Sequence, residues 1–231
     1  MTTAQITPER TLNQQLTDFK QQMGTQAPPE MVAQFDAEVE RVVRSGLAAH
    51  SLKTGQQAPD FTLPDATGGQ VSLSALLARG PVALVFYRGE WCPYCNLTLR
   101  AYQAIQPQIQ ELGATMVAVS PQTPDNSLTT VEKKGLTFPV LSDQGNAVAR
   151  QYGLVFAFSE EVRPLLTSVG SAVPSFNGDD SWELPFAGVF VIAPDRTIAL
   201  ASVNADWTRR PEPAATLESL RARRPLVIHP R

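Results

Sequence analysis

The residues of this sequence best suited to chemistry are two cysteines three positions apart, in the segment Cys92-Pro93-Tyr94-Cys95. Residues 82–87 before them are apolar throughout, which predicts a strand buried on both faces. Residues 93–112 after them carry apolar side chains at helical spacing. The pair is therefore predicted at a strand-to-helix junction, where two thiols suit reversible thiol and disulfide chemistry.

Position in the predicted helix separates the roles of the two cysteines. Cys92 lies at the helix N-terminus, where unpaired N–H groups and the helix dipole favour a thiolate, and thiol pKa values in such motifs fall to roughly 3.5–7.5. Cys95 lies one turn further along the same face, so it can resolve a sulfenic acid or mixed disulfide formed on Cys92. Pro93 suits the first helical turn, and Trp91 is expected to cover the pair on one side.

Composition narrows the function classes. The chain has 231 residues, with 19 basic and 22 acidic side chains, so neither a nucleic-acid-binding stripe nor a polybasic membrane patch is expected. Two cysteines are too few for a four-ligand zinc site or a disulfide-stapled scaffold. The two histidines, His50 and His229, lie far from the cysteines in sequence. We therefore predict no metal site and no cofactor.

Hydropathy gives an expectation about location. The first twenty residues contain no continuous apolar run, so no signal peptide is predicted. The longest apolar stretch, residues 81–87, is much too short to cross a bilayer. We expect a cytoplasmic protein without membrane contact, in a compartment that keeps thiols reduced.

The pattern of elements predicts an α/β fold. Strands and helices alternate between residues 82 and 153, which is typical of βαβ units and a mostly parallel sheet. Residues 188–192 and 197–203 are two apolar runs joined by a four-residue turn, which indicates an antiparallel hairpin. A last helix contains Leu217 and Leu220. The central sheet is therefore predicted to be mixed and flanked by helices.

Residues 1–54 are predicted to form an N-terminal helical extension, and residues 55–231 the main domain. The extension contains two segments with apolar side chains at helical spacing, separated by Pro28 and Pro29. Each predicted helix has one apolar stripe, which must be buried against another surface. That surface is either the body of the same chain or a second copy in a homodimer.

The wider sequence resembles a known family. Cys-Pro-Tyr-Cys at residues 92–95 is similar to the motif of glutaredoxins and of the thioredoxin superfamily. The resemblance to the peroxiredoxin-like family (alkyl hydroperoxide reductase and thiol-specific antioxidant) extends over about residues 55–222. It is carried by segments 58–61 (APDF), 71–73 (VSL), 86–95 (FYRGEWCPYC), 125–127 (DNS), 141–143 (LSD) and 176–181 (FNGDDS).

This resemblance implies a thioredoxin-like fold and a thiol-dependent peroxidase. Hydrogen peroxide or an alkyl hydroperoxide would be reduced by Cys92 and Cys95, and thioredoxin or glutathione would recycle the pair. One alternative is a thiol–disulfide oxidoreductase acting on protein or glutathione disulfides. Another is a redox sensor that is not an enzyme, in which a Cys92–Cys95 disulfide changes a contact made by the N-terminal helices.

The cysteine signature of this family can be aligned with residues 88–95 of this sequence. Its proline, threonine and peroxidatic cysteine positions are occupied here by Arg88, Cys92 and Cys95, and its later arginine position by Ala187. The family alignment thus assigns the attack to Cys95, whereas helix position, with Cys92 nearer the terminus and more exposed, assigns it to Cys92, which we favour. Arg88 lies four residues before Cys92 and is predicted to stabilise the thiolate or polarise a peroxide.

Four further residues are predicted to contact the substrate or a partner. They are Trp91, Pro93, Tyr94, which is expected to be exposed, and Ala187.

Overall fold

The computed structural model describes residues 10–223. His229, residues 1–9 of the predicted extension and residues 224–231 of the predicted main domain lie outside the described residues. In chain order the elements are α1 (Leu12–Gln26), α2 (Pro29–Arg44), β1 (Thr62–Pro64), β2 (Gln70–Ser72), α3 (Leu73–Leu77), β3 (Val82–Phe86), α4 (Pro93–Glu111), β4 (Thr115–Ser120), α5 (Pro124–Lys134), β5 (Val140–Ser142), α6 (Ala147–Gln151), β6 (Val155–Ala157), α7 (Arg163–Ser168), α8 (Val173–Asn177), β7 (Glu183–Pro185), β8 (Gly188–Ile192), β9 (Ile198–Val203) and α9 (Pro213–Arg221).

The centre of the fold is a five-stranded mixed sheet in the order β5-β4-β3-β8-β9. β3 pairs in parallel with β4 and antiparallel with β8, so that Leu84 lies between Val117 and Phe190. All five residues of β3 are buried, because both faces of the sheet are covered. The predicted α/β fold with a mixed central sheet and flanking helices is confirmed, with strand boundaries shifted by one or two residues.

The structure positions the cysteines through the connection from β3 to α4. Cys92 has extended backbone angles and occupies the N-cap of α4, and Pro93 follows at the first helical position. The buried face of α4 includes Leu99, Tyr102 and Ile109, which pack into the core on one side of the sheet. The dithiol segment therefore lies at the carboxyl end of the central strand, held by a helix that cannot shift without disrupting the core.

Several short elements between residues 155 and 185 were not predicted from the sequence. β6 and β7 form a separate two-stranded antiparallel sheet, and α7 and α8 lie between them. Strands of three residues are too short to show a period of two, and helices of five or six residues show little periodicity. Their apolar residues nevertheless join the main core, including Phe156, Leu166 and Leu184.

Both N-terminal helices pack on the body of the same chain. Leu12 and Leu16 of α1 are 2% exposed, and α1 lies against α4. Val42 of α2 is 1% exposed and belongs to the main core. Part of each apolar stripe is thus buried against the same chain, which is one of the two alternatives, whereas Met23 of α1 and Val43 of α2 are exposed. None of the helices among residues 10–223 combines the length and the apolar character needed to cross a membrane.

One carboxylate ties the start of α1 to the body. Glu212 accepts hydrogen bonds from the backbone N–H groups of Leu12 (3.1 Å) and Asn13 (2.7 Å) and from Asn13 Nδ2 (2.7 Å). We expect Glu212→Ala to reduce the free energy of unfolding by about 1 to 2 kcal/mol, because an acidic acceptor is lost from a helix N-terminus. Urea denaturation and hydrogen exchange of the α1 amides measure the change. Glu218→Ala, an exposed position on α9, is the control and should have little effect.

A candidate dithiol redox site

Cys92 and Cys95 are both free thiols and both completely buried. A guanidinium nitrogen of Arg88, Nη2, lies 2.9 Å from Cys92 Sγ, and the backbone N–H of Arg88 donates to Cys95 Sγ at 3.4 Å. The expectation that Cys92 is the more exposed of the two is wrong, because neither sulfur has contact with bulk solvent. Any difference in reactivity between the two cysteines must therefore come from the charges and the cavities around them.

Arg88 is held in place by aromatic rings and by a tight loop. Its guanidinium carbon lies 4.8 Å from the ring centre of Trp207 and 5.4 Å from that of Trp91, and the residue is 3% exposed. Gly89 follows with φ +151°, and a Cβ at this position would lie 2.5 Å from Trp91 Nε1. A glycine therefore lets the chain pass close beneath the indole, which directs Arg88 onto the sulfurs.

A second guanidinium at the site was not predicted from the sequence. Arg210 Nη2 lies 3.8 Å from Cys95 Sγ, although the two residues are 115 positions apart. Arg210 is 5% exposed, and its Nη1 donates to the carbonyl oxygens of Trp207 (2.6 Å) and Arg209 (2.7 Å). No motif links it to the cysteines, because only the path of the chain between β9 and α9 brings it there.

The charge balance around the sulfurs favours a thiolate. Within residues 10–223, neither Arg88 nor Arg210 has a carboxylate within 4.0 Å. Two buried cations without a counter-ion are costly, and a thiolate between them supplies one. Burial raises the pKa of Cys95, but the hydrogen bond from Cys92 and the charges of Arg210 and Arg88 outweigh it, so that this pKa lies well below its ordinary value.

The pKa of Cys92 is shifted in the opposite direction. Burial raises the pKa of Cys92 well above its ordinary value, and the neighbouring Cys95 adds to this, while Arg88 opposes it. The two thiols therefore titrate as one coupled pair, in which the pKa of Cys95 is the lower.

This charge distribution predicts a specific pH dependence. The native protein should show the 240 nm absorbance of about one thiolate per chain at pH 7, whereas the denatured chain, with thiol pKa values near 8.5, should show almost none. Because the folded-state pKa of Cys95 is lowered, its contribution to stability is present above the unfolded value and is lost as the pH falls through the folded value. Buried tyrosines do not interfere, since the pKa values of Tyr87 and Tyr102 are raised to about 12. Equal absorbance in the native and denatured states at pH 7 would contradict the assignment.

A cavity of about 350 Å³ lies in front of Cys92, between the body and the N-terminal helices. Cys92 and Arg88 line it, and Cys95 is not among its lining residues. The predicted contact residues Trp91, Pro93 and Tyr94 line it as well, whereas Ala187 is buried elsewhere.

Tyr94 is half-buried rather than exposed, because its ring packs edge-on against Phe19 of α1 at 5.1 Å. The predicted exposure of Tyr94 is therefore wrong. In the part of the chain that the structure describes, no group of three His, Cys, Asp or Glu side chains could hold a metal ion. The chemistry available to the site comes from two sulfurs, two guanidiniums and the apolar walls around them.

Comparison with known proteins gives a consistent result. The family model described as the AhpC/TSA family matches residues 54–201, more than half of the chain. The chain is 30% identical over 131 residues to a chloroplastic peroxiredoxin Q of Triticum aestivum, which covers 57% of this chain and 60% of that protein. It is 34% identical over 103 residues to a putative peroxiredoxin of Mycobacterium tuberculosis, covering 45% and 67%. The first of these matches thus spans less than two thirds of the relative.

Solved structures share the fold. Peroxidoxin BcpB from Mycobacterium tuberculosis aligns with a TM-score of 0.59 at 26% identity, over 75% of this chain and 99% of that one. A peroxiredoxin Q from Xanthomonas campestris aligns with a TM-score of 0.54 at 19% identity, over 71% and 90%, which supports the fold alone. Helices α1 and α2 both precede the residues that the family model matches.

Proposed function

The chain belongs to the AhpC/TSA family, and we propose that it is a thiol-dependent peroxidase that reduces hydrogen peroxide or alkyl hydroperoxides through Cys92 and Cys95. The observation that carries this proposal is the pair of buried guanidiniums, Arg88 and Arg210, with no carboxylate partner among the described residues. They stabilise a thiolate before the reaction and the negative charge that develops on oxygen during it.

In the first step we assign the attack to Cys92, because Cys92 and not Cys95 is among the residues that line the cavity. Its sulfur bonds to the terminal oxygen of the peroxide and the O–O bond breaks. The Cys92 proton passes to the neighbouring Cys95 thiolate and from there to the departing oxygen, which leaves as water or an alcohol. Cys92 becomes a sulfenic acid, Cys95 is a thiolate again, and Arg88 is placed to donate to the departing oxygen.

In the second step Cys95 closes the cycle. Its thiolate attacks the sulfenic sulfur of Cys92, a Cys92–Cys95 disulfide forms, and hydroxide leaves and takes up a proton from solvent to become water. The lowered pKa of Cys95 keeps this sulfur in the thiolate form that its resolving role needs. The peroxide has gained two electrons, and the two sulfurs have lost them.

An external thiol donor must return these electrons, and the family resemblance indicates thioredoxin or glutathione. Because both sulfurs are buried, a folded protein can reach them only if α1 is displaced, and this holds for a protein disulfide as substrate and for thioredoxin as reductant alike. Peroxides are small enough to enter. The cytoplasmic location and a homodimer through the N-terminal helices stay predictions.

A stoichiometric titration tests the proposal. One equivalent of hydrogen peroxide added to the reduced protein should lower the thiol count from two to zero, and the mass should fall by about 2 Da as the disulfide forms. Ellman's reagent on the denatured chain and intact mass spectrometry measure both changes. Two thiols left after an equivalent of peroxide has been incubated for minutes would contradict the proposed function.

A further inference from the structure

We propose that Gln122 is a positioning residue of the dithiol site: its side-chain amide holds the backbone of the loop between β3 and α4, so that Arg88 is directed onto the sulfurs. This inference rests on the proposed peroxidase function and adds to it a residue that acts through Arg88. The amide of Gln122 bonds to the loop and to α5 rather than to the cysteines.

The topology of the sheet brings Gln122 to the dithiol loop. β3 and β4 are parallel neighbours, so the segments that follow them, residues 87–92 and 121–123, leave the sheet at the same edge. Gln122 lies two residues beyond the end of β4 and is completely buried. A buried side-chain amide is costly unless its oxygen and nitrogen are hydrogen-bonded, so the partners of Gln122 show what its position serves.

The amide of Gln122 joins the loop to α5. Its Oε1 accepts a hydrogen bond from the backbone N–H of Glu90, and its Nε2 donates to Oγ1 of Thr130 at 3.3 Å. Thr130 is completely buried as well, and its hydroxyl donates to the carbonyl oxygen of Asn126, one turn earlier in the same helix, at 3.0 Å. A chain of buried hydrogen bonds therefore ties the loop to the backbone of α5.

The loop and the amide fit each other closely. A Cβ at Gly89 would lie 2.6 Å from Gln122 Oε1, so the absence of a side chain there lets the amide reach the next peptide group. From the other side, Asn96 Nδ2 of α4 donates to the carbonyl oxygen of Glu90 at 2.8 Å. Glycine restricts its own backbone angles less than any other residue. The direction of the chain just after Arg88 therefore depends on the hydrogen bond from Glu90 to Gln122.

Arg88 depends on the direction of this loop more than an arginine in an ion pair would. Within residues 10–223 it has no carboxylate within 4.0 Å, and its Nε has no hydrogen-bond partner. Aromatic rings flank the guanidinium, and its Nη2 donates to Cys92 Sγ at 2.9 Å. The backbone N–H of Arg88 donates to Cys95 Sγ at 3.4 Å. A shift of the loop would therefore weaken the contacts with both sulfurs at once.

Gln122→Met tests the inference, because methionine keeps most of the volume and loses both hydrogen bonds. Oxidation by hydrogen peroxide in a single turnover should slow by about 10- to 100-fold, the effect of misplacing a catalytic group by about 1 Å. As the pH is lowered, the 240 nm thiolate absorbance should be lost at a higher pH than in the unmodified protein, because a misdirected Arg88 stabilises the thiolate less. This second measurement needs no peroxide, so it tests the inference separately from the proposed function.

Thr130→Val repeats the test from the side of α5, and it decides the matter if Gln122→Met does not fold. Valine has the shape of threonine without the hydroxyl, so the Gln122 amide loses its anchor, and both readouts should change in the same direction but by less. Thr129→Val is the matched control, because its hydroxyl donates to a carbonyl oxygen one turn earlier in the same way, at 3.1 Å. Lys133→Met removes a 2.7 Å ion pair with the Glu90 side chain and keeps the backbone bonds of Glu90. Neither control should change the rate or the titration.

A double variant separates a positioning role from a general effect on the fold. If Gln122 acts through Arg88, adding Gln122→Met to Arg88→Met should slow the reaction by no more than about twofold further, because the two residues share one effect. A residue that only supported the fold would add its full effect. An unchanged rate and titration in a folded Gln122→Met protein, or in Thr130→Val where Gln122→Met does not fold, would overturn the inference, and so would two effects that multiply in full. An unmodified protein that peroxide does not oxidise would instead refute the proposed function.

Discussion

Cys92→Ser is expected to abolish peroxide reduction, with a fall in the oxidation rate on the order of 1,000-fold or more, since the attacking sulfur is removed. Cys95→Ser should behave differently. Without the neighbouring thiolate, burial still raises the pKa of Cys92, but Arg88 at 2.9 Å opposes this, so Cys92 can still ionise and attack. No resolving sulfur remains, and a sulfenic acid should accumulate on Cys92.

Mass spectrometry separates these outcomes. Treated with one equivalent of hydrogen peroxide, Cys95→Ser should gain about 16 Da on the peptide that contains Cys92, and dimedone should trap the product. Cys92→Ser should gain nothing on the same timescale. The reverse pattern, with the sulfenic acid on Cys95 in Cys92→Ser, would show that Cys95 attacks, as the family alignment indicates, and would contradict the role that we assign to Cys92.

Arg88→Met is expected to lower the rate of peroxide reduction by about 100- to 1,000-fold, the usual effect of losing one donor aimed at developing charge. The methionine keeps much of the volume between Trp91 and Trp207, so the loss reports the guanidinium rather than the packing. Without this cation the pKa of the dithiol should rise. As the pH is lowered, the 240 nm thiolate absorbance should therefore be lost at a higher pH than in the unmodified protein.

Two comparisons make this result specific. Arg88→Lys keeps the charge but loses the planar fork, so it should recover part of the rate. Arg100→Met removes an exposed arginine of α4 and should leave the rate unchanged. An Arg88→Met enzyme that is folded and fully active would show that the guanidinium at 2.9 Å from Cys92 has no part in the chemistry.

The local part of the site could be predicted from the sequence. An apolar run followed by Cys-Pro-x-Cys places the dithiol at the junction of β3 and α4, because burial fixes the strand and proline suits the first helical turn. Arg88 was found for the same reason, since it is four residues from Cys92 in the same loop. The dithiol segment and Arg88 can be recognised from the sequence because residues close to them along the chain fix their positions.

The remaining parts of the site depend on tertiary contacts that leave no local pattern. Arg210 reaches Cys95 across 115 positions, and its place is set by carbonyl oxygens of its own loop. The apolar stripes of α1 and α2 predicted that these helices must dock, but not where. Contacts such as Glu212 with the start of α1, and Phe19 with Tyr94, place α1 over the dithiol.

The measurement that tests the central claim most directly is the rate of oxidation by peroxide in a single turnover. Fully reduced protein is mixed with hydrogen peroxide in a stopped-flow instrument, and the fluorescence of Trp91 and Trp207, which flank Arg88 beside the sulfurs, is followed. Our account predicts oxidation at least about 100-fold faster than that of free cysteine at the same pH, and loss of the fast phase in Cys92→Ser. Oxidation no faster than that of free cysteine would contradict it, because two buried guanidiniums would then have failed to activate either the thiol or the peroxide.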